Sequence, residues 1–454
     1  MTTTNQKPAT RSISLPVASR WLILLIAVFA VLVLTRSMSE GIYDIAFANL
    51  ALDLTGLVST VGLVYCVGYG VEVVASIAAG PLLDRGNPKT VLVASYLIKI
   101  GVFALIGLGS TFLSSHLWAI VVAAATVDLV HHIGEMALFV LLPRVLDATS
   151  LVRVQGIAGT IRSASELLSP VVAGLVITLM PGSRALLVAA SLQVLALAVF
   201  AVFIAVAARR PATTPQDTAD AADEEAIPAE QDETPANLPS RRTVARTINN
   251  SKAWRRFTIF HALTVLALST VILSLLPMMR ETLDMSPARA GSFLAFSTIG
   301  AIIGGLLVAR AGPDGIHTSL RWAPALAGAG TLTAALLGQN QWILAVGLIL
   351  FGLGFTVYLR SAGLLIQLSA PSTLLGTWYG LLDALIRIVS AAAILVTGFL
   401  FDHLGGKAVY LAFGVLLLLT ATLWSSFGKQ DHQGLTRTPL HPASAVEGQE
   451  RPAN

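Results

Sequence analysis

Residues 80–85 read Gly80-Pro81-Leu82-Leu83-Asp84-Arg85, and about 225 positions later residues 305–310 read Gly305-Leu306-Leu307-Val308-Ala309-Arg310. A second window keeps nearly the same spacing: Gly156 to Gly182 lies over Gly380 to Gly406 without a gap, and Gly174 falls on Gly398. A repeat of that length in so apolar a chain describes two similar helical bundles in a membrane. That architecture belongs to transporters far more often than to enzymes.

Composition points the same way. The 454 residues are 55% hydrophobic and only 12% charged, whereas a soluble globular chain carries about 25% charged residues. The apolar content runs along nearly the whole length, so lipid is the expected solvent. Cys66 is the single cysteine, which excludes an intramolecular disulfide and a cysteine-based metal site; it is expected to serve packing. The net charge of +4 is explained by topology rather than by nucleic acid.

A span needs about 20 apolar residues to cross the hydrocarbon, and twelve such stretches are present, near 20–48, 58–80, 89–110, 116–142, 153–179, 184–208, 256–279, 287–310, 319–338, 341–366, 374–400 and 406–427. Backbone groups in lipid need internal partners, so each is a helix. The expected fold is an all-α membrane protein with twelve transmembrane helices in two pseudo-symmetric six-helix bundles. Residues 1–19 form an N-terminal segment, 20–210 the first bundle, 211–245 a disordered linker rich in Ala, Pro, Thr, Asp and Glu, 246–428 the second bundle, and 429–454 a disordered tail. With the N-terminus in the cytoplasm, the cytoplasmic segments hold twenty Lys and Arg and the outer loops four (Arg184, Arg280, Arg289, Lys407). The positive-inside rule then puts both termini in the cytoplasm. The excess of Arg over Lys and the abundant Ala hint at a bacterial inner membrane.

At this point the chain resembles the major facilitator superfamily over roughly residues 15–430. Gly80, Asp84, Arg85, Gly86 and Lys89 match that family's motif between its second and third helices, although Asn87 and Pro88 depart from it. The resemblance implies a gating role: Gly80 permits close helix approach, Asp84 faces a helix N-terminus whose partial charge favours an anion, and Arg85 and Lys89 pair with acids of nearby loops. In the second half Ala309 replaces the acid, so a latch there is weaker. On the fifth span Gly156, Ser165, Ser169, Pro170, Ala173 and Gly174 sit at the spacing of the glycine/proline motif of the family's proton-coupled antiporters, with Ser and Ala at three of its glycines. Small residues let helices approach and Pro permits a bend.

Charge inside a span is costly and is retained where it faces protein or a wet cavity. Twelve charged residues lie well inside spans: Arg36, Glu40, Asp44, Glu72, Lys99, Asp128, Glu135, Arg162, Glu166, Arg360, Asp383 and Arg387. All but Lys99 fall on spans 1, 2, 4, 5, 10 and 11. Arg36, Glu40 and Asp44 step by four and share a helix face, as do Asp128, His131, His132 and Glu135. Tyr65, Tyr69 and Glu72 suggest a polar strip on span 2. Arg162–Glu166 and Asp383–Arg387 are i,i+4 pairs, expected to be structural or gating. The span-4 acids lack an obvious local base, so proton handling or substrate contact is expected there, with His131 or His132 able to titrate near neutral pH. His261 is expected to be a hydrogen-bonded packing residue. Arg360 either anchors an anionic group or snorkels, and Lys99 is expected to snorkel.

Adjacent histidines do not make a helical zinc motif, and no phosphate-binding Gly-Lys-Ser/Thr loop is present, so neither a metal, a cofactor nor an enzymatic reaction is expected. The expected function is secondary transport by alternating access, with proton-coupled efflux of a small molecule ahead of proton-coupled uptake of a polar or anionic nutrient. The partners are the solute, protons and the bilayer, with no nucleic acid, and a monomer is the expected state.

Overall fold

The structure is a computed structural model and describes residues 17–56, 58–109, 116–180, 182–209, 239–279, 283–285, 287–427 and 435. Among these, twelve helices of 20 residues or more run in sequence: α1 Val17–Thr55, α2 Val58–Arg85, α3 Pro88–Gly107, α4 Leu117–Val145, α5 Ala148–Leu179, α6 Ala185–Ala208, α7 Lys252–Pro277, α8 Pro287–Ala311, α9 Gly315–Leu337, α10 Gln341–Ser369, α11 Leu375–Leu404 and α12 Gly406–Ser425. Ten have the length and hydropathy of a membrane span by composition alone. The other two, α5 and α9, carry many Ala, Gly, Ser and Thr, residues that serve helix contacts.

Short turns with explicit stops set these boundaries. Asn87 accepts a hydrogen bond from Lys89 N at 3.0 Å and Pro88 opens α3. Asp147 caps α5 through Ser150 N at 3.1 Å, and Asn340 caps α10 through Trp342 N at 3.0 Å. Caps of this kind contribute about 1 kcal/mol each. Gly405, with φ 77, turns the chain between α11 and α12, a conformation that favours glycine.

Helix packing repeats between the halves. In the first, α1 lies against α5 and α6, α4 against α2 and α3, and α3 against α6; in the second, α7 lies against α11 and α12, α10 against α8 and α9, and α9 against α12. Two seams join the halves, α5 with α8 and α2 with α11. The linker end of the molecule gathers the α1 start, the α6 end and the helix that precedes α7: Trp21 Nε1 donates to Val206 O at 2.8 Å, and Arg241 reaches Ala78 O.

Several sequence expectations need correction here. α1 starts at Val17 and runs to Thr55, so it takes in residues 17–19 of the expected N-terminal segment. Residues 241–245, expected within a disordered linker, begin a helix over Arg241–Asn250. Ser240 caps it, and Val244 and Ile248, one turn apart, bury their side chains; that apolar pair gives the segment a face to dock. Residues 210–238 and most of 429–454 lie outside the described residues. Cys66 is exposed and does not pack internally.

Candidate functional site

The ionisable residues of α1, α2, α4, α5 and α11 converge at mid-depth, between two cavities. The far cavity, about 280 Å³, is lined by the Glu40, Tyr43, Asp44, Tyr65, Tyr69, Glu72, Asp128, Glu135, Arg162 and Arg387 side chains. The near cavity, on the linker side, is about 170 Å³ and is lined by Arg36, Ser37, Gln155, Arg360 and Tyr379 among others. Glu40, His131, Glu135 and Arg162 border both. The four-residue step of Arg36, Glu40 and Asp44 therefore lays one α1 face along the whole passage, and the Tyr65, Tyr69, Glu72 strip stands on the far-cavity wall.

The group between the cavities is an ion cluster. Arg162 Nη1 donates to Glu135 Oε1 at 2.8 Å, and its Nη2 lies 3.7 Å from Glu40 Oε1. His131 is 5% exposed; its Nε2 lies 3.7 Å from Glu40 and 3.6 Å from Glu135, and neither ring nitrogen has a hydrogen-bond partner among the described residues. Glu135, read as lacking an obvious local base, thus finds one on a neighbouring helix, in Arg162 of α5. Asp128 has no ion-pair or hydrogen-bond partner among the described residues, and its carboxylate fills the space that a β-carbon at Gly68 would need. Asp44 likewise has no such partner there. The Glu166 and Pro170 side chains, and with them the expected Arg162–Glu166 pair, lie outside the described ones.

A second cluster crosses the α2–α11 seam. Arg387 donates through Nε to Asp383 at 3.0 Å, through Nη1 to Glu72, and through Nη2 to His132 Nδ1 at 2.8 Å. Since Arg donates to Nδ1, His132 holds its proton on Nε2, which faces Asp383 Oδ2 at 3.0 Å. Ser76 Oγ donates to the same oxygen at 2.6 Å, and Tyr379 OH donates to Oδ1 at 3.4 Å. Arg162 and Arg387 sit at nearly equivalent repeat positions; Arg162 reaches Glu135 and Glu40 of its own half, whereas Arg387 adds Glu72 and His132 across the seam to Asp383 of its own helix. Sequence reading missed Ser76 and Gln367. Ser76 is one turn from Glu72 on the same α2 face, a signal that was available. Gln367 had none: it donates to Phe139 O at 2.8 Å and accepts from Gln155 at 3.1 Å across the seam.

The linker end is closed. Asp84 accepts from Gly376 N at 2.6 Å and Thr377 N at 2.7 Å, two first-turn donors of α11 that have no partner inside that helix. A β-carbon at Gly80 would stand 2.7 Å from Gly376 O and Thr377 Cα, so only glycine allows this approach. On the other seam Gly156 meets the Ala309 backbone, Gly305 meets Thr160, and Thr160 Oγ1 donates to Ile302 O at 3.2 Å. Phe139 stacks on Tyr379 with centroids 3.8 Å apart.

Other expectations divide. Arg85, exposed at the end of α2, and Lys89, half-buried in the first turn of α3, have no ion pair among the described residues. Ser169 packs against Gly41 of α1, but Gly174 faces open space and mediates no close approach. Lys99 does not snorkel: it is 1% exposed, since its α3 face turns inward with Tyr96. Arg360 lies against Gly159 of α5 on the near-cavity wall. His261 is buried, with Nδ1 2.6 Å from Tyr358 OH.

Solved structures of the same shape exist at low sequence identity. The human organic anion transporter MFSD10 aligns with TM-score 0.66 and 15% identity over 90% of this chain and 100% of that one. A bacterial homologue of the iron transporter ferroportin, in an outward-facing state with soaked iron, gives 0.66 and 15% over 91% and 100%. The proton:xylose symporter XylE gives 0.68 and 11% over 90% and 96%. No curated protein matches by sequence. The profile of the Major Facilitator Superfamily matches residues 29–337, and with its twelve helices, two repeated halves and central charged passage the chain belongs to that superfamily of membrane transporters.

Proposed function

We propose that this transporter moves a small, strongly polar solute by alternating access and couples the movement to protons. One observation carries the reading: Glu40, Glu135, Arg162 and His131 form a single exchangeable cluster where the two cavities meet. A proton arriving on Glu135 weakens its hold on Arg162, and the freed guanidinium then turns to Glu40 or to solute. Protonation and occupancy are thereby exchanged at one place. Each charge carried across a 100 mV potential supplies about 2.3 kcal/mol.

We assign the linker end to the cytoplasm from the distribution of Lys and Arg, which makes this the outward-open form of a monomer in a bacterial inner membrane. Helices α1–α6 and α7–α12 are the two rocking bundles. Export is the direction favoured by the small-residue motif of α5, where Gly156 and Ser169 hold tight contacts. Uptake is the second reading, favoured by the many fixed charges on the passage and by its likeness to symporters of xylose and of fucose. Deleting the gene separates them, since export predicts a rise in intracellular solute and uptake a fall.

The coupling test uses proteoliposomes and a solute found by thermal-shift screening. Glu135→Gln and Asp128→Asn are expected to abolish uphill, proton-driven transport and to leave solute exchange intact. Undiminished uphill transport in both variants removes these acids from coupling.

A further inference from the structure

We propose that the near cavity seats a carboxylate, or an equivalent oxyanion, of the transported molecule, with Arg36 as its principal partner. The proposal rests on the transport reading above and names the solute class for the same passage. It begins with an imbalance of charge. Arg36 is 6% exposed, and its Nε has no hydrogen-bond partner among the described residues. Lys99 is 1% exposed. Both cations lean on one buried ring: the Arg36 guanidinium carbon lies 6.0 Å and the Lys99 Nζ 5.3 Å from the Tyr96 centroid. Cation–π contact offsets part of the lost hydration, but a buried cation needs an opposite charge.

The nearest carboxylates among the described residues, Glu40 and Glu135, line the same cavity but do not reach contact with either cation. Among the described residues no carboxylate oxygen lies within 4.0 Å of Arg36 or Lys99. The acids that would serve, Glu40 and Glu135, are turned toward Arg162 at 3.7 and 2.8 Å. The cavity in front of Arg36 adds Ser37 and Gln155 as donors and the Arg162 and Arg360 guanidinium groups, three guanidinium groups in all against the Glu40 and Glu135 carboxylates, in a space of about 170 Å³ suited to a small organic acid. The far cavity shares Glu40, Glu135 and Arg162 but has the opposite balance, with five carboxylates against two guanidinium groups, so an anion is favoured in the near one. Arg36 stands on α1 and Arg360 on α10. An anion between them bonds to both halves at once, which makes solute binding a force for closure.

The test follows the thermal stability of the purified full chain titrated with acetate, benzoate, succinate and citrate. Acetamide, benzamide, chloride and putrescine serve as comparisons. At least one acid is expected to raise the melting temperature saturably while its amide does not. Arg36→Met is expected to weaken that acid by at least about tenfold, or ~1.4 kcal/mol, and Arg360→Gln to weaken it less. Arg36→Lys retains part of the effect. Should Arg36→Met fail to fold, Arg36→Lys and Arg360→Gln carry the comparison. The proposal is overturned if no acid stabilises the chain, if chloride matches the acids, if putrescine alone stabilises, or if the variants that fold respond as wild type does. Proton movement is read separately in proteoliposomes. Acid-dependent stabilisation without proton movement removes the coupling reading and leaves the anion seat, whereas proton-coupled movement of a cation without acid binding does the reverse.

Discussion

The two seams close the same end of the molecule by different physics. Along α2–α11 the contact is polar: Asp84 on the α11 N-terminus, then Ser76, His132, Asp383, Arg387 and Glu72 at mid-depth. Along α5–α8 it is mainly steric, with Gly156 on Ala309 and Gly305 on Thr160 and the Thr160–Ile302 hydrogen bond beside them, whereas the steric contact of α2–α11 at Gly80 accompanies charge. Charged hydrogen bonds at a wet boundary are individually strong but have an alternative partner in water. Close backbone packing gains only dispersion, yet it tolerates no added atom. The comparison teaches that one seam is suited to respond to protons and solute, while the other is suited to define how near the halves come.

Three substitutions break or sharpen this contrast. The largest effect is expected from Gly156→Leu, because its side chain would occupy the Ala309 backbone. Overpacking costs about 3 kcal/mol, which moves the closed population by on the order of a hundredfold. Spin labels on the linker ends of α5 and α8 should show the lengthened distance; an unchanged distribution would mean that the steric seam yields without opening. Asp84→Asn comes next. It keeps one acceptor and loses the charge on the helix terminus, for a cost of about 1–2 kcal/mol. Transport should slow by about tenfold with the order of solute preference intact, and a changed preference would contradict a gating role. Ser76→Ala is the smallest. Asp383 keeps Arg387 and His132 as partners, so about 1 kcal/mol is expected, seen as a small drop in the melting temperature. A drop as large as that of Asp84→Asn would show that mid-depth, not the helix terminus, holds the charged seam.

Much of this architecture was legible in the sequence because the bilayer leaves so few solutions. Apolar length sets the twelve spans, the Gly80 and Gly305 segments set the repeat, and four-residue steps place Arg36, Glu40 and Asp44 on one face. Partner choice was not legible. Whether Glu135 finds a base depends on α5 lying beside α4, and whether Lys99 is exposed depends on how α3 is rotated. Periodicity fixes which residues share a face, but not what that face meets. Gln367 shows the limit most clearly, since a single glutamine among apolar neighbours gives no sign that it bridges two halves of the chain.

The Asp84 bonds also bear on how the protein is made. The carboxylate that completes the first turn of α11 belongs to a residue 292 positions earlier in the chain, so it is synthesised and inserted long before the amides it serves. During translation that acid lacks its α11 partners until the eleventh helix is made. A ribosome-associated intermediate ending before α11 should therefore bind membrane chaperones, and lose that dependence once the eleventh helix emerges.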